Sequence, residues 1–400
     1  MPELLTLDQA QAEVLAHTRT LPSERVPTAR AYGRVAAEDV RAVVDLPPFA
    51  SSAMDGFAVR AADVPGTLPV VGEAAAGSPA TAALTAREAM AISTGGLVPA
   101  GADAVVPVEH VVTNGNSVRI DRSVASGANV RPRGGDVAAG DVVAAAGTRI
   151  TAAQIGALAA AGNAELVCSR RPRVSVVATG SELVSPGRPL EPGQVYEANG
   201  IMLAAALAAA GAEVALLGVV ADEAAAHRVA LEQGLGGDVL VTSGGVSVGE
   251  HDLVRRIERE LGVREVFWRV SIKPGKPVSF GVRGETLVFG LPGNPVSALV
   301  GCELLVKPAI RALQGVREPL PRFELGRLAV SLRRNEARDD FVRARVRAGA
   351  ERVELEPLIG QESHMIARAA AAEALVHVPR GEGELAVGEV VSWLRLDCAY

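Results

Sequence analysis

Apolar positions recur along the chain in two rhythms, and the switches between them mark its parts. Residues 7–20 carry helical spacing with Asp8 at the start, which predicts an opening amphipathic helix. From 40 to 147 the texture changes to short extended runs, Phe57-Ala-Val-Arg60, Ala104-Val-Val-Pro-Val-Glu109 and Ser117-Val-Arg-Ile120. Turn signals such as Asn114-Gly115 part them, so this stretch reads as β-rich. Residues 151–161 form an alanine-rich helix with Thr151 as its N-cap.

From Arg171 the rhythm becomes strand, loop, helix. Strands are expected at 174–179, 213–220, 238–242 and 286–289, with helices at 199–210, 221–234 and 296–313. Near-continuous apolar strands alternating with helices indicate a mostly parallel sheet covered on both faces. Residues 201–221 are apolar enough to test as a membrane span, but Gly211-Ala-Glu213 interrupts them. They read instead as a buried helix, turn and strand. Past Pro319-Leu-Pro321 the pattern is β again, at 343–346, 352–355 and 389–394, which suits a C-terminal β domain. No internal repeat is evident.

Composition narrows this picture. A chain of 400 residues exceeds what one core usually serves, so several domains are expected. Aromatics are 3% of the chain, so its cores must be built from Ala, Val, Leu and Ile. A net charge of -6 argues against nucleic-acid binding. Any bound anion must therefore meet a local cluster of cations or backbone N–H groups. Cys168, Cys302 and Cys398 form no CxxC pair, which suggests neither a disulfide framework nor a zinc or iron–sulfur site and suits reduced thiols. The first residues lack the basic and apolar regions of a signal peptide, so a cytoplasmic protein is expected.

In open α/β sheets, ligands bind beyond the carboxyl ends of the strands. Three loops leave such ends here: Thr179-Gly180-Ser181-Glu182-Leu183, Thr242-Ser243-Gly244-Gly245-Val246-Ser247-Val248-Gly249, and Leu291-Pro292-Gly293-Asn294-Pro295-Val296-Ser297. Each alone is an ordinary glycine turn. Three at corresponding positions point to a cleft whose backbone N–H groups approach a phosphate. Lys273-Pro-Gly-Lys276-Pro277 fixes two ammonium groups on a stiffened turn, where they repel unless an anion joins them. Arg343, in Asp339-Asp-Phe-Val-Arg343, supplies a bidentate donor for the same anion.

Glu182, Asp222, Glu250 and Asp252 are the acidic candidates of the α/β part, with Asp55 and Asp136 in the β-rich stretch. Carboxylates beside phosphates suggest Mg²⁺. Asp55 in Ser51-Ser-Ala-Met-Asp-Gly56-Phe57 would by itself be an Asx-turn residue, with Gly56 forcing the turn. His251 adjoins Asp252, but no Ser/His/Asp order supports a general base.

Together these segments match a known pattern. Leu46-Pro-Pro-Phe49, Ser52-Ala-Met-Asp-Gly-Phe57, Thr94-Gly-Gly96, Arg131-Pro-Arg-Gly-Gly-Asp136, Thr179-Gly-Ser-Glu-Leu183, Ser243-Gly-Gly-Val-Ser-Val-Gly249, Lys273-Pro-Gly-Lys-Pro277 and Pro292-Gly-Asn-Pro-Val-Ser297 occur in that order. The chain resembles, over nearly its whole length, the molybdopterin molybdenumtransferase family that includes the E domain of gephyrin. The resemblance implies insertion of molybdate into adenylylated molybdopterin with release of AMP, assisted by Mg²⁺ or a similar ion. It implies an α/β multidomain fold: a three-layer α/β domain related to molybdopterin adenylyltransferases (1–21 with 170–318), a linking domain (22–41 with 140–169), a β-rich insert (42–139) and a C-terminal β-barrel (319–400).

The resemblance also implies a homodimer whose active site joins the α/β domain of one subunit to the insert of the other. Contact with molybdopterin adenylyltransferase is a further expectation, and membrane and nucleic acid are not partners. Carried over, molybdate would sit on Lys273, Lys276, Ser297, Arg343 and Ser363. The pterin nucleotide would meet Thr94, Gly180, Ser181, Ser243, Gly244, Gly245, Ser247, Pro292 and Pro295. Glu182, Asp222 and Asp252 would hold the metal, and with Asp55 and Asp136 they form the catalytic set. Two stretches depart from the family pattern: His364-Met-Ile-Ala-Arg368 after Ser363, and residues 60–90. Two alternatives share some motifs, a non-catalytic pterin-binding scaffold and a nucleotide amidase or pyrophosphatase of the competence-damage-protein type.

Overall fold

The computed structural model describes residues 4–220, 223–245, 253–349 and 351–396. The chain opens with helix α1 (Leu7–Ala16), where Thr6 and Gln9 form a capping box and Leu7, Ala10 and Val14 are buried. It divides into two compact units, one of residues Arg25–Cys168 and one of residues 1–24 with Ser169–Tyr400.

The unit of residues 25–168 is built on a six-stranded sheet in the order Ala104–Pro107, Gly56–Val59, Ala89–Ile92, Gly66–Ala74, Ser117–Ile120, Val112–Asn114. Neighbouring residues serve opposite faces, as strand pleating requires. Phe57, Val59 and Val106 enter one apolar cluster, while Ala58 and Val105 enter another. Gly56 opens its strand instead of making a turn, because a Cβ there would collide with the Val106 carbonyl oxygen. That is a correction to the turn expected from sequence. A third cluster, including Val26, Ala36, Ile150 and Leu158, packs around helix α2 (Ala152–Ala160). Thr151 caps α2 through a capping box with Gln154, as expected.

In the larger unit, strands β1 (Arg173–Thr179), β2 (Glu213–Val220), β3 (Val239–Ser243), β4 (Arg264–Trp268), β6 (Ser279–Arg283) and β7 (Thr286–Leu291) form one sheet. The short strand between them in sequence, β5 (Ile272–Lys273), lies elsewhere. The sheet order is β2-β1-β3-β7-β6-β4. Its first four strands are parallel, and β6 and β4 add an antiparallel edge.

Helices α3 (Asn199–Ala209), α4 (Ala224–Gly234) and α5 (Leu253–Glu260) intervene. Val176, Val239, Val241, Leu287 and Phe289 face one core with α1 and α3, whereas Val177, Leu240 and Val288 face the other with α4 and α5. Period-two alternation is thus present but invisible in the sequence, because both faces are apolar. The expected buried helix, turn and strand has the right elements, but β2 is the sheet's edge strand. Leu216 on β2 and Ile201 on α3 are exposed. No helix among the described residues is long and apolar enough to cross a membrane.

Helix α6 (Pro295–Gly301) continues through a π-helical stretch, Cys302–Val306, into α7 (Lys307–Leu313). The wider turn disturbs the α-helical hydrogen-bond ladder, and buried Gln11 of α1 donates to the Leu304 carbonyl at 2.9 Å. Glu303 and Lys307, both buried, pair across this turn at 2.7 Å. Burial pushes the Cys302 thiol far up, so it is an inert core residue.

Strands β8 (Phe323–Leu328), β9 (Asp339–Arg347), β10 (Glu354–Pro357), β11 (Ala374–Val378) and β12 (Val390–Arg395) close into a five-stranded barrel, with short helix α8 (Ile366–Ala369) before β11. The ring runs β9-β10-β8-β12-β11 and shuts through β9–β11 pairing. Trp393 is fully buried inside it. Strand β5 leaves the α/β part to pair in parallel with β9.

On β11, His377 stacks on Phe341 at 5.2 Å. Burial pushes its pKa below 6.5, opposed by Asp339 and Asp8. The folded state therefore resists a proton that the unfolded chain accepts. Stability is expected to fall as pH drops through about 6.5 toward the lower folded value. Urea unfolding at pH 7.5 and 5.5 checks this, and His377→Gln should remove that component of the loss.

Candidate active site

Strands β1, β3 and β7 are parallel neighbours, so Thr179–Leu183, Thr242–Gly245 and Leu291–Ser297 leave the sheet at the same carboxyl end. The chain turns tightly there because small residues let the loops interlock. Gly244 adopts a φ of +94°, and a Cβ on it would lie 2.5 Å from the Thr179 carbonyl oxygen. Its N–H donates to the Leu291 carbonyl at 3.1 Å, while the Thr179 hydroxyl donates to the Ser243 carbonyl at 3.4 Å. Each bond ties one loop to the next.

Asn199, the first residue of α3, is the residue sequence reasoning missed. Its amide donates to Ser243 Oγ at 2.9 Å and to the Gly293 carbonyl at 2.7 Å. Ser243 is buried, and its hydroxyl donates to the Pro292 carbonyl at 3.5 Å. The available signal was a poor helix former standing inside a helix start, with Ala198 and not Asn199 in the cap position. Gly180 and Glu182 are close as well: a Cβ on Gly180 would lie 2.7 Å from both Glu182 carboxylate oxygens. Ser181 and Glu182 are exposed, and Gly245 has a φ of +68°. Asp222, Ser247, Glu250, His251 and Asp252 lie outside the described residues.

A second group gathers at the start of α6. Pro295 occupies the first turn after Asn294, and Ser297 is buried one residue beyond Val296. The Val296 N–H donates to the Ser363 carbonyl at 3.0 Å, which sets the segment before α8 against this helix start. Gly275, in the Lys273–Pro277 turn, approaches from another side: its Cβ position is 3.5 Å from the Ser297 carbonyl oxygen. Lys276 is exposed, and its carbonyl accepts from both Val270 and Val278 N–H at 3.0 Å. Lys273 donates to Asp340 at 3.0 Å.

Arg343 reaches the same segment from the barrel. Its side chain is 0% exposed, and Nη2 donates to the Gly360 carbonyl at 3.1 Å and the Glu362 carbonyl at 3.5 Å. Its backbone is clamped by Gln361, which accepts from the Arg343 N–H and donates to its carbonyl. Nε and Nη1 have no protein partner among the described residues. Burial lowers the pKa of the guanidinium, against the pull of Glu362. A buried cation with idle donors is costly, and an oxyanion would satisfy it.

In the other unit, the Thr94 N–H donates to Asp55 Oδ1 at 2.6 Å. That bond, with the Thr94 hydroxyl, holds the exposed Asp55 carboxyl below the usual carboxylate range, so it acts as an acceptor near neutrality. Strand Ser51–Ser52 pairs antiparallel with Val130–Arg131, so the chain leaves this ladder toward Asp55 and toward Asp136 at opposite ends. Asp136 is exposed, its N–H bonded to the Leu46 carbonyl at 3.0 Å.

Three family profiles match: "MoeA N-terminal region (domain I and II)" over residues 5–162, "Probable molybdopterin binding domain" over 175–312, and "MoeA C-terminal region (domain IV)" over 326–396. A molybdopterin molybdenumtransferase of Haemophilus influenzae is 35% identical, over 97% of this chain and 98% of that protein. A molybdopterin molybdenumtransferase 2 of Mycobacterium tuberculosis is 39% identical over 91% and 92%. The crystal structure of a molybdopterin biosynthesis moeA protein from Pyrococcus horikoshii OT3 superposes with a TM-score of 0.84 at 28% identity, covering 98% of this chain and 100% of that one.

Proposed function

The chain belongs to the molybdopterin molybdenumtransferase family, and we propose that it takes molybdate and adenylylated molybdopterin as substrates and releases AMP. Membership makes it a transferase of molybdenum cofactor biosynthesis, which sets aside the amidase alternative. The observation that carries the substrate reading is the buried Arg343 with two donor nitrogens, Nε and Nη1, that have no partner among the described residues.

A tetrahedral dianion accepts such donors; Ser297 lies in the first turn of α6, against which the backbone of Ser363 and the Lys273–Pro277 turn pack. Lys273 completes the set of cations. The interlocked Thr179, Ser243, Gly244 and Pro292 loops form the neighbouring phosphate cradle. These residues bind and orient; fixing two reacting groups side by side removes much of the barrier to their reaction.

Mg²⁺ suits the donor chemistry at this edge. One carboxylate, Glu182, stands on a glycine-rich phosphate loop, and Mg²⁺ commonly takes one or two carboxylates plus substrate oxygens. Glu182 would hold it, with Asp222 and Asp252. When bound it neutralises charge on phosphate oxygens. The test combines purified protein, adenylylated molybdopterin, Mg²⁺ and molybdate. AMP release should require molybdate, and EDTA should slow it at least about 100-fold, reversibly by Mg²⁺. Release that persists without molybdate would sink the proposal.

Asp55 and Asp136 belong, in this reading, to the site of a partner subunit in a homodimer in the cytoplasm. Mixing Asp55→Asn and Arg343→Met proteins under subunit exchange should regenerate about a quarter of wild-type activity, from the one intact site in each mixed dimer. Activity no greater than that of the separate variants would mean the sites are not shared.

A further inference from the structure

We infer that Asp340 is a positioning residue: it holds the Lys273 ammonium in place for the oxyanion pocket, an inference that rests on the molybdate reading above. Asp340 and Lys273 are register partners on adjacent parallel strands, β9 and β5, so their side chains leave the sheet on the same side. Asp340 Oδ2 accepts from Lys273 Nζ at 3.0 Å. The lysine side chain is 52% exposed and the aspartate 12%, so a buried carboxylate restrains the tip of an otherwise solvent-facing chain.

The backbone of the Lys273–Pro277 turn is fixed by the Lys276 carbonyl bonds and by Gly275 against α6. The Lys273 side chain, by contrast, is half exposed. Its other conformers would carry the ammonium into solvent.

Two features argue against a purely structural carboxylate. Asp340 Oδ1 is buried with no hydrogen-bond partner among the described residues, so Lys273 is the side-chain partner that Asp340 engages. Asp340 stands three residues before Arg343 on β9, so the strand turns the Lys273 anchor to one face and the Arg343 guanidinium to the other. A carboxylate beside an anion pocket also repels the anion, a cost that needs a return.

Calorimetric titration of the full-length protein with molybdate tests this. Asp340→Asn is expected to weaken molybdate binding about three- to tenfold, the scale of leaving one rotamer-rich side chain to be ordered on binding. The KM for molybdate should rise with kcat unchanged, and AMP binding should stay as in wild type. Asp340→Glu, which keeps the carboxylate, should stay near wild type. In a Lys273→Met background, Asp340→Asn should cause no further loss. Equal losses in both backgrounds would make Asp340 merely structural, and unchanged molybdate binding by Asp340→Asn in the otherwise wild-type protein would remove its role. Wild-type protein that binds no molybdate would instead overturn the pocket reading itself.

Discussion

Replacing Arg343 by methionine is expected to lower kcat/KM for molybdate by roughly 10²–10⁴ while changing unfolding free energy by no more than about 1 kcal/mol. The kinetic figure follows from losing two hydrogen bonds to a charged acceptor, each worth about 1.5–3 kcal/mol. The stability figure follows from what the wild-type chain already tolerates. Arg343 is a fully buried cation with Nε and Nη1 lacking protein acceptors, and burial lowers its pKa. Methionine removes that cost and loses one well-placed bond to Gly360. Molybdate-dependent AMP release and urea unfolding measure the two halves. A variant that unfolds readily yet turns over normally when folded would assign Arg343 to barrel support.

The second large effect is expected at Lys307. Changing it to methionine leaves Glu303 as a buried carboxylate beside the π-helical turn, at a cost of about 3–5 kcal/mol. The helix run from 295 to 313 carries Ser297 at its start, so activity should fall with stability as temperature rises. Replacing both partners, Glu303→Leu with Lys307→Met, should recover most of the loss, because a well-packed apolar pair needs no counter-charge. Chemical denaturation of the single and double variants decides it. A double variant as unstable as the single one would mean that packing at this turn, and not charge, is limiting.

Much of this protein was legible in its sequence because the relevant patterns are local. Strand and helix periods, the Thr151 cap and the glycine loops each depend on neighbours a few residues away. The bounds of β2 came out as expected, but its exposure did not. An apolar strand looks the same in sequence whether it lies at a sheet's centre or its edge. Gly56 was misjudged for a similar reason: its need is a close approach to Val106, fifty residues on, and not a turn.

What the sequence by itself determined is the kind of parts: a mostly parallel α/β sheet, β-rich flanks, glycine-rich loops at strand ends, and two lysines in the Lys273–Pro277 turn. Tertiary structure alone decided who meets whom. Asn199 ties Ser243 to Gly293, Lys273 is held by Asp340, and Arg343 is buried with donors to spare. The physical reason is range. Periodicity reports which face a residue takes, whereas these contacts join residues 44, 94 and 67 positions apart and exist only once the sheet is ordered and the barrel has closed.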